Sequence, residues 1–421
     1  MRIYFSGLGG VGIGPLAEIA RDAGHDVIGS DLAESPTTSE LRAHGIEVAI
    51  GQDGSFLRAA HELAPLDWFV YTSALPEDHP ELTLARELGI RTGKRDEFLA
   101  GLLREKDVKL VAVAGTHGKT STTSQLVWTL RQLGIPVGYS IGTTVPFGPS
   151  GVFDPESEYF VYECDEYDRN FLQFHPHLAI IPSVDYDHPD TFPTEASYTE
   201  AFRTFLAQSA HAVLWRRDAD FLGVTDGATI LEPDEALPLS LSGEHNRRNG
   251  TLVLRALEHL GLGDPAANRA ALETFPGVGR RFERLAENLY SDYGHHPVEI
   301  EATLELAREV ADRVVLVYQP HQNQRQHLIR DQYTSQFERA ERVYWVPTYL
   351  VREDPAQPVL TPVDLARAVT NRDAVIPAEL DAELWERIQE ERRAGGLVLV
   401  MGAGPIDDWV RERLAESQPG G

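Results

Sequence analysis

The chain has 421 residues, of which 42% are hydrophobic and 24% charged, a composition that supports several globular cores. Its 38 basic residues are outnumbered by 65 acidic ones, for a net charge of −27. Such a surface repels phosphate backbones and anionic lipid, so neither nucleic acid nor a membrane is an expected partner. The single cysteine, Cys164, leaves no internal disulfide and fits a reducing compartment. No apolar run approaches the roughly 18 residues that span a bilayer. The opening MRIYFSGLGGVG lacks a secretory layout, and the expected location is cytoplasmic.

In chain order, residues 3–5 read as a buried strand, followed by a glycine-rich turn and a helix over about 14–23. Strands follow at 27–30 and 68–72. A charged helical stretch over 96–107 leads into a strand at 110–114. Further strands are expected at 160–163 and 178–182, with a helix near 197–210. After a Phe275-Pro-Gly break, strands recur at 314–318, 342–346 and 397–401. Strands alternating with helices argue for parallel α/β sheets. The expected domains are 1–106, 107–275 and 276–421.

Five motifs carry chemistry. The first is Gly7-Leu-Gly9-Gly10-Val11-Gly12, a turn between strand and helix where a backbone approaches pyrophosphate and the helix start offers N–H groups. Asp31 ends the next strand, where an acid meets a ribose hydroxyl. The alternative is a tight turn with no ligand.

The second is Gly115-Thr116-His117-Gly118-Lys119-Thr120-Ser121. It is a shortened phosphate loop, because the first glycine of the strict pattern would fall at Val113. Its N–H groups can cradle phosphate, Lys119 can reach β- and γ-oxygens, and the Thr120 hydroxyl can ligate magnesium. Only four of the basic residues are lysines, Lys94, Lys106, Lys109 and Lys119. A lysine kept here suits a point charge on phosphate.

The third is Glu163-Cys-Asp165-Glu166-Tyr-Asp168, four acids at a strand end. Glu163 is a candidate hard-oxygen ligand for magnesium, and the other three acids are equally readable as a solvated face. The fourth is Asp185-Tyr-Asp187-His188-Pro-Asp190, in which His188 is a candidate metal ligand. The fifth comprises His245, Asn246 and Asn249 at a helix start, Arg280 and Arg281, Tyr293 with His295 and His296, and the run Gln319-Pro-His321-Gln322-Asn323-Gln324-Arg325. Each of these is also readable as a polar loop. Cys164 has no base at motif spacing and reads as a buried residue.

With GTHGKTSTT, ECDEYD, DHPDTF, FPGVGRRFE and DYGHHPVEI in this order, the chain resembles the Mur ligase family over about residues 2–405. The resemblance implies an α/β fold of three domains: a Rossmann-like N-terminal domain for a uridine diphosphate sugar, a P-loop central domain of ATPase type, and a Rossmann-like C-terminal domain for the amino acid. It implies ATP and Mg2+ as cofactors. FSGLGGVGIGPLAEIA, VGRRFE, DYGHHP, YQPH and MGAGPI resemble the members that join L-alanine to UDP-N-acetylmuramate.

Carried over by position, Gly9, Gly10, Val11, Asp31, Ser73 and Ala74 would line the uridine diphosphate site. Gly115 to Ser121 would hold phosphate, with Lys119 on the β- and γ-phosphates. Thr120, Glu163 and His188 would serve the metal. His245, Asn246 and Asn249 would lie near adenine and ribose, with Arg281 on the phosphates. Tyr293, His296, His321 and Arg325 would surround the amino acid, His296 and His321 being candidate bases. A monomer or weak homodimer is expected.

The sequence also departs from the family. No lysine follows Lys119, so the carbamylated lysine that supports a second magnesium in many members is absent. Gln322 stands where arginine is usual, and Ser183 where asparagine is. The EYD of ECDEYD resembles the member that joins UDP-N-acetylmuramate to a tripeptide, which is the alternative reading. Two further alternatives are a nicotinamide oxidoreductase, which leaves the phosphate loop unexplained, and a catalytically silent nucleotide-binding homologue.

Overall fold

The computed structural model describes residues 1–10, 12–188, 191–351 and 353–417. The chain divides into two compact units, Met1–Leu239 with Arg248–Phe275, and Ser240–Arg247 with Pro276–Gly421.

The first unit contains two sheets. One is wholly parallel and comprises β1 (Arg2–Ser6), β2 (Asp26–Asp31), β3 (Glu47–Ile50), β4 (Trp68–Tyr71) and β5 (Arg91–Lys94), in the order β3-β2-β1-β4-β5. The strand order reverses at β1, with β2 on one side and β4 on the other, which places the glycine loop after β1 at a switch point where such sheets bind ligands. Beneath that edge the fully buried Glu81 carboxylate accepts from Tyr4 OH (2.5 Å), Ser6 Oγ (2.7 Å) and Ser30 Oγ (2.8 Å), tying two strands to the helix Pro80–Glu87.

The second sheet comprises β6 (Lys109–Ala114), β7 (Gly138–Ser140), β8 (Gly151–Val152), β9 (Tyr159–Cys164), β10 (Leu178–Ile181), β11 (Ala212–Trp215) and β12 (Ala228–Leu231). Its order is β12-β11-β10-β6-β9-β7-β8, parallel except between β7 and β8. β6 lies between β10 and β9, so the phosphate loop that follows it also emerges at a switch point. Strands covered on both faces read as unbroken apolar runs, and β10 (LAII) and β11 (AVLW) are buried throughout.

The apolar core runs without a break from one sheet to the other. Phe98, Leu99, Leu102 and Leu103 of the helix Arg95–Glu105 share a cluster with side chains of β1, β4, β6 and β9. Phe98 meets Phe5 and Trp68 edge-on at 5.4 and 5.0 Å. The helix before residue 107 is therefore a structural partner of both sheets, and this shared core explains why they form one compact unit.

The second unit holds β13 (Glu283–Ala286), β14 (Leu289–Asp292), β15 (Val314–Tyr318), β16 (Arg342–Trp345), β17 (Val375–Pro377) and β18 (Leu397–Met401). The order is β13-β14-β18-β15-β16-β17, parallel except for the β13–β14 hairpin. β15 and β18 are wholly buried, with helices Pro297–Val310 and Ala382–Arg393 contributing to the cores on its faces.

Candidate functional site

The phosphate loop has the backbone that its sequence demands. Gly115 has φ 148°, and a Cβ there would meet Ser183 O at 2.5 Å; Gly118 has φ 81° and precedes the helix Lys119–Gln132. Both positions are strained for other residues. The loop is braced from the end of β10, where Ser183 O accepts from Thr116 N at 2.8 Å and Ser183 Oγ donates to His117 O at 3.3 Å. Thr116 Oγ1 donates to Asp185 O and lies 2.7 Å from Tyr198 OH. Ser121 occupies the first turn of the helix, and the buried Asn249 side chain lies beside Gly118.

Lys119 folds back over the loop, donating to Gly115 O (2.6 Å) and Glu166 Oε2 (2.7 Å). Burial works against its charge, but Glu166, Asp165 and Glu163 outweigh it and hold the pKa above the ordinary lysine value. Burial likewise opposes ionisation of Glu166, yet Lys119 and His188 keep its pKa below the ordinary glutamate value. Thr120 Oγ1 donates to Glu163 Oε1 at 2.8 Å, and Glu163 Oε2 accepts from Gly142 N at 3.1 Å.

The four acids at and beyond the end of β9 have four different surroundings. Glu163 faces Thr120, and Glu166 faces Lys119. Asp165 lies 3.9 Å from Arg95, while Asp168 pairs with Lys94 and bonds to Ser73. Asp168 and Arg169 are both left-handed, at φ 54° and 57°, a conformation that costs of order 1–3 kcal/mol per residue. The turn directs Asp168 at the first sheet while Glu166 remains under the phosphate loop. Sequence reading left Glu166 undistinguished among its neighbours. Cys164 is fully buried and its thiol pKa is pushed up by burial, so it is no nucleophile.

His188 also has positive φ, 55°, and its Nε2 lies 3.6 Å from Glu166 Oε1. Among the described residues no group of three or more His, Cys, Asp or Glu side chains could hold a metal ion. The Thr120–Glu163 hydroxyl and carboxylate nonetheless fit magnesium, which takes few protein oxygens and completes its shell with water and phosphate. Asp190 lies outside the described residues.

At the first glycine loop, Gly9 N donates to Asp31 Oδ2 at 2.7 Å, so the acid closes the loop around its own strand end. Ser73 and Ala74 are exposed after β4, with Ala74 N held by Thr72 Oγ1 at 2.9 Å. Val11 lies outside the described residues.

In the second unit, His245 opens the helix Glu244–Leu260, and burial pushes its pKa down to about 4. Asn246 Nδ2 donates to Ser242 O at 2.9 Å. The guanidinium carbons of Arg280 and Arg281 lie 4.8 and 5.0 Å from the centre of the Tyr293 ring. Tyr293, His295, His321 and Arg325 gather: the His295 ring is edge-on to Tyr293 at 5.5 Å and to His321 at 5.6 Å, and its Nε2 is 3.0 Å from Arg325 Nη1. Burial, then Arg325, drives the His295 pKa down. His296 instead occupies the N-cap of the helix Pro297–Val310, where Glu299 Oε2 accepts from both His295 N and His296 N. His295, not singled out from sequence, is the histidine facing Arg325. Gln322 precedes the helix Asn323–Ile329 with φ 59°.

Three family models match the chain: the Mur ligase family catalytic domain at residues 2–107, the Mur ligase middle domain at 113–232, and the Mur ligase glutamate ligase domain at 280–404. The UDP-N-acetylmuramate–L-alanine ligase of Rubrobacter xylanophilus is 33% identical, over 99% of this chain and all of that protein. The chain belongs to the Mur ligase family. Among solved structures of this fold, the UDP-N-acetylmuramate–alanine ligase of Thermotoga maritima superposes with TM-score 0.75 at 24% identity, covering 99% of this chain and 100% of that one. A murein peptide ligase from Psychrobacter arcticus gives 0.66 at 22%, covering 99% and 98%. As in other Mur ligases, the architecture is three α/β domains. No helix among the described residues is long and apolar enough to cross a membrane.

Proposed function

We propose that the chain is an ATP-dependent ligase joining L-alanine to the lactyl carboxylate of UDP-N-acetylmuramate, a cytoplasmic step of peptidoglycan precursor synthesis. The end-to-end match to curated ligases of that name carries the reading. The Lys119, Thr120 and Glu163 arrangement supplies its chemistry.

A carboxylate is a poor acyl donor at neutral pH. Its oxygen attacks the γ-phosphorus of ATP, and the new O–P bond forms as the bond to ADP breaks. Lys119 meets the charge on the transferring group, and the N–H groups of the Gly115–Gly118 turn orient it. Thr120, Glu163 and His188 would hold magnesium, which when bound spreads that charge. The amine of the acceptor then attacks the acyl carbon of the acyl phosphate. A C–N bond forms, phosphate leaves with the electrons of the C–O bond, and the amine proton passes to a base, for which His296 and His321 are the candidates.

Gly9, Gly10, Val11, Asp31, Ser73 and Ala74 are assigned to the uridine diphosphate. His245, Asn246 and Asn249 are assigned to adenine and ribose, with Arg281 on the phosphates. Tyr293, His321 and Arg325 are assigned to the acceptor, and His295 joins them on geometry. Arg325 is the cation for the acceptor's carboxylate.

Gln322 favours a second reading, a ligase for a peptide acceptor, because a peptide places its carboxylate elsewhere. Phosphate release with ATP, magnesium and UDP-N-acetylmuramate, supplying L-alanine, glycine, L-serine or the tripeptide in turn, separates the two. Turnover with L-alanine supports the first. Turnover with the tripeptide alone replaces it by the second, and no turnover with any acceptor defeats both.

A further inference from the structure

A lysine ammonium has three protons to donate. In Lys119 they are directed at Gly115 O (2.6 Å), Glu166 Oε2 (2.7 Å) and, at a longer 3.4 Å, Thr116 O. The loop's cation is therefore engaged inside the protein, across the cradle that would receive phosphate. Its partner Glu166 is fully buried, and among the described residues its Oε1 has only His188 Nε2 nearby, at 3.6 Å. Such a carboxylate offers what a phosphoryl group offers: negative charge and acceptor oxygens within reach of the same ammonium.

We propose that Glu166 is a positioning residue that occupies the place of a phosphate oxygen on Lys119 in the ligand-free chain, and that the nucleotide displaces it. This rests on the ATP reading above. Phosphoryl transfer requires the ammonium on phosphate oxygens and has no need of a carboxylate on the lysine. The contact orders a long, rotamer-rich side chain before ATP arrives, which lowers the entropy cost of binding. It also opposes binding, because the phosphates must break a charge-assisted hydrogen bond and then lie beside the released carboxylate. His188 Nε2, 3.6 Å from Oε1, gives that carboxylate a partner once Lys119 has left.

The test is ATP binding to the full chain in EDTA, where neither divalent cation nor turnover intervenes. Glu166→Gln is expected to tighten ATP binding about tenfold, and the gain is expected to vanish in the Lys119→Ala background. Glu166→Asp, which retains the charge but is one methylene short of the lysine, is expected to tighten binding by less. Unchanged or weaker binding in both Glu166 variants, with wild-type melting behaviour, would overturn the proposal. An equal gain from Glu166→Gln in the Lys119→Ala background would overturn it too, since Glu166 would then be a general source of repulsion. A wild-type chain that binds no ATP in EDTA or with magnesium restored would defeat the ATP reading itself and take the proposal with it.

Discussion

The Thr120 hydroxyl donates to Glu163 Oε1 at 2.8 Å, joining the helix after β6 to the end of β9. The strands are parallel neighbours, and their register pairs Val113 with Glu163, so the contact is set by the sheet itself. A hydroxyl and a carboxylate held this way would supply two oxygens of an octahedral magnesium shell, the rest coming from water and phosphate. Glu163→Gln is therefore expected to raise the magnesium needed for half-maximal phosphate release by about tenfold or more. ATP binding in EDTA should survive; its loss would mean that Glu163 supports the loop and not the metal.

Lys119→Ala should lower ligation by at least about a hundredfold, because the charge on the transferring phosphoryl loses its cation. It should also destabilise the chain by about 2 kcal/mol, since the buried Glu166 loses its closest cation and keeps only His188, at 3.6 Å. Adding Glu166→Gln should restore stability but not turnover. Urea unfolding and phosphate release separate the two effects.

Gln322 stands at the start of the helix that carries Arg325. Gln322→Arg supplies a second cation for the acceptor's carboxylate, so the KM for L-alanine should fall by about tenfold with little change in kcat. An unchanged or higher KM would mean that the carboxylate is held elsewhere.

Acid should weaken the second unit. Burial pushes His245 down to about 4, and His295 is driven down by burial and Arg325. The unfolded chain takes up these protons near pH 6.5, before the folded one does. Stability from the neutral rings is complete above that pH and is lost as pH falls from there toward 4. Asp292, pushed up to about 6 by burial, works in the other direction: its contribution is present below about pH 4 and is lost as pH rises through 6. Two histidines against one carboxyl leave a falling Tm between about pH 7 and 5, and His245→Gln should flatten that slope.

Glu81→Leu removes the common acceptor of Tyr4, Ser6 and Ser30. Three buried hydroxyls on β1 and β2 then lose their common carboxylate, which should cost about 3 kcal/mol. A thermal melt within a degree or two of wild type would show that they find other acceptors.

The long central strands were legible because a strand covered on both faces must be apolar throughout, as in LVAVA, LAII, VVLVY and LVLVM. The short strands Glu47–Ile50, Arg91–Lys94, Gly138–Ser140 and Val375–Pro377, at or next to the sheet edges, were not. They have three or four residues, and polar side chains, glycine or proline interrupt any pattern. β11 was missed although buried, because four apolar residues after a helix carry no period of their own.

The phosphate loop was readable because its chemistry is local, whereas Glu166 depends on how the chain turns beyond β9, where strand alternation ends. His295 and His296 could have been separated. Pro297 at a helix start with Glu299 two residues later marks His296 as the capping residue.

The acidic stretch after β9 serves two masters. Glu163 and Glu166 answer to the phosphate loop, while Asp165 and Asp168 answer to Arg95, Lys94 and Ser73 at the ends of β4 and β5. Six residues cannot be tuned for one neighbour without detuning the other. A library that randomises this stretch to alter nucleotide preference will be filtered at the same time for its grip on the first sheet. Variants that succeed should carry compensating changes at Ser73, Lys94 or Arg95, far along the chain from the site under selection.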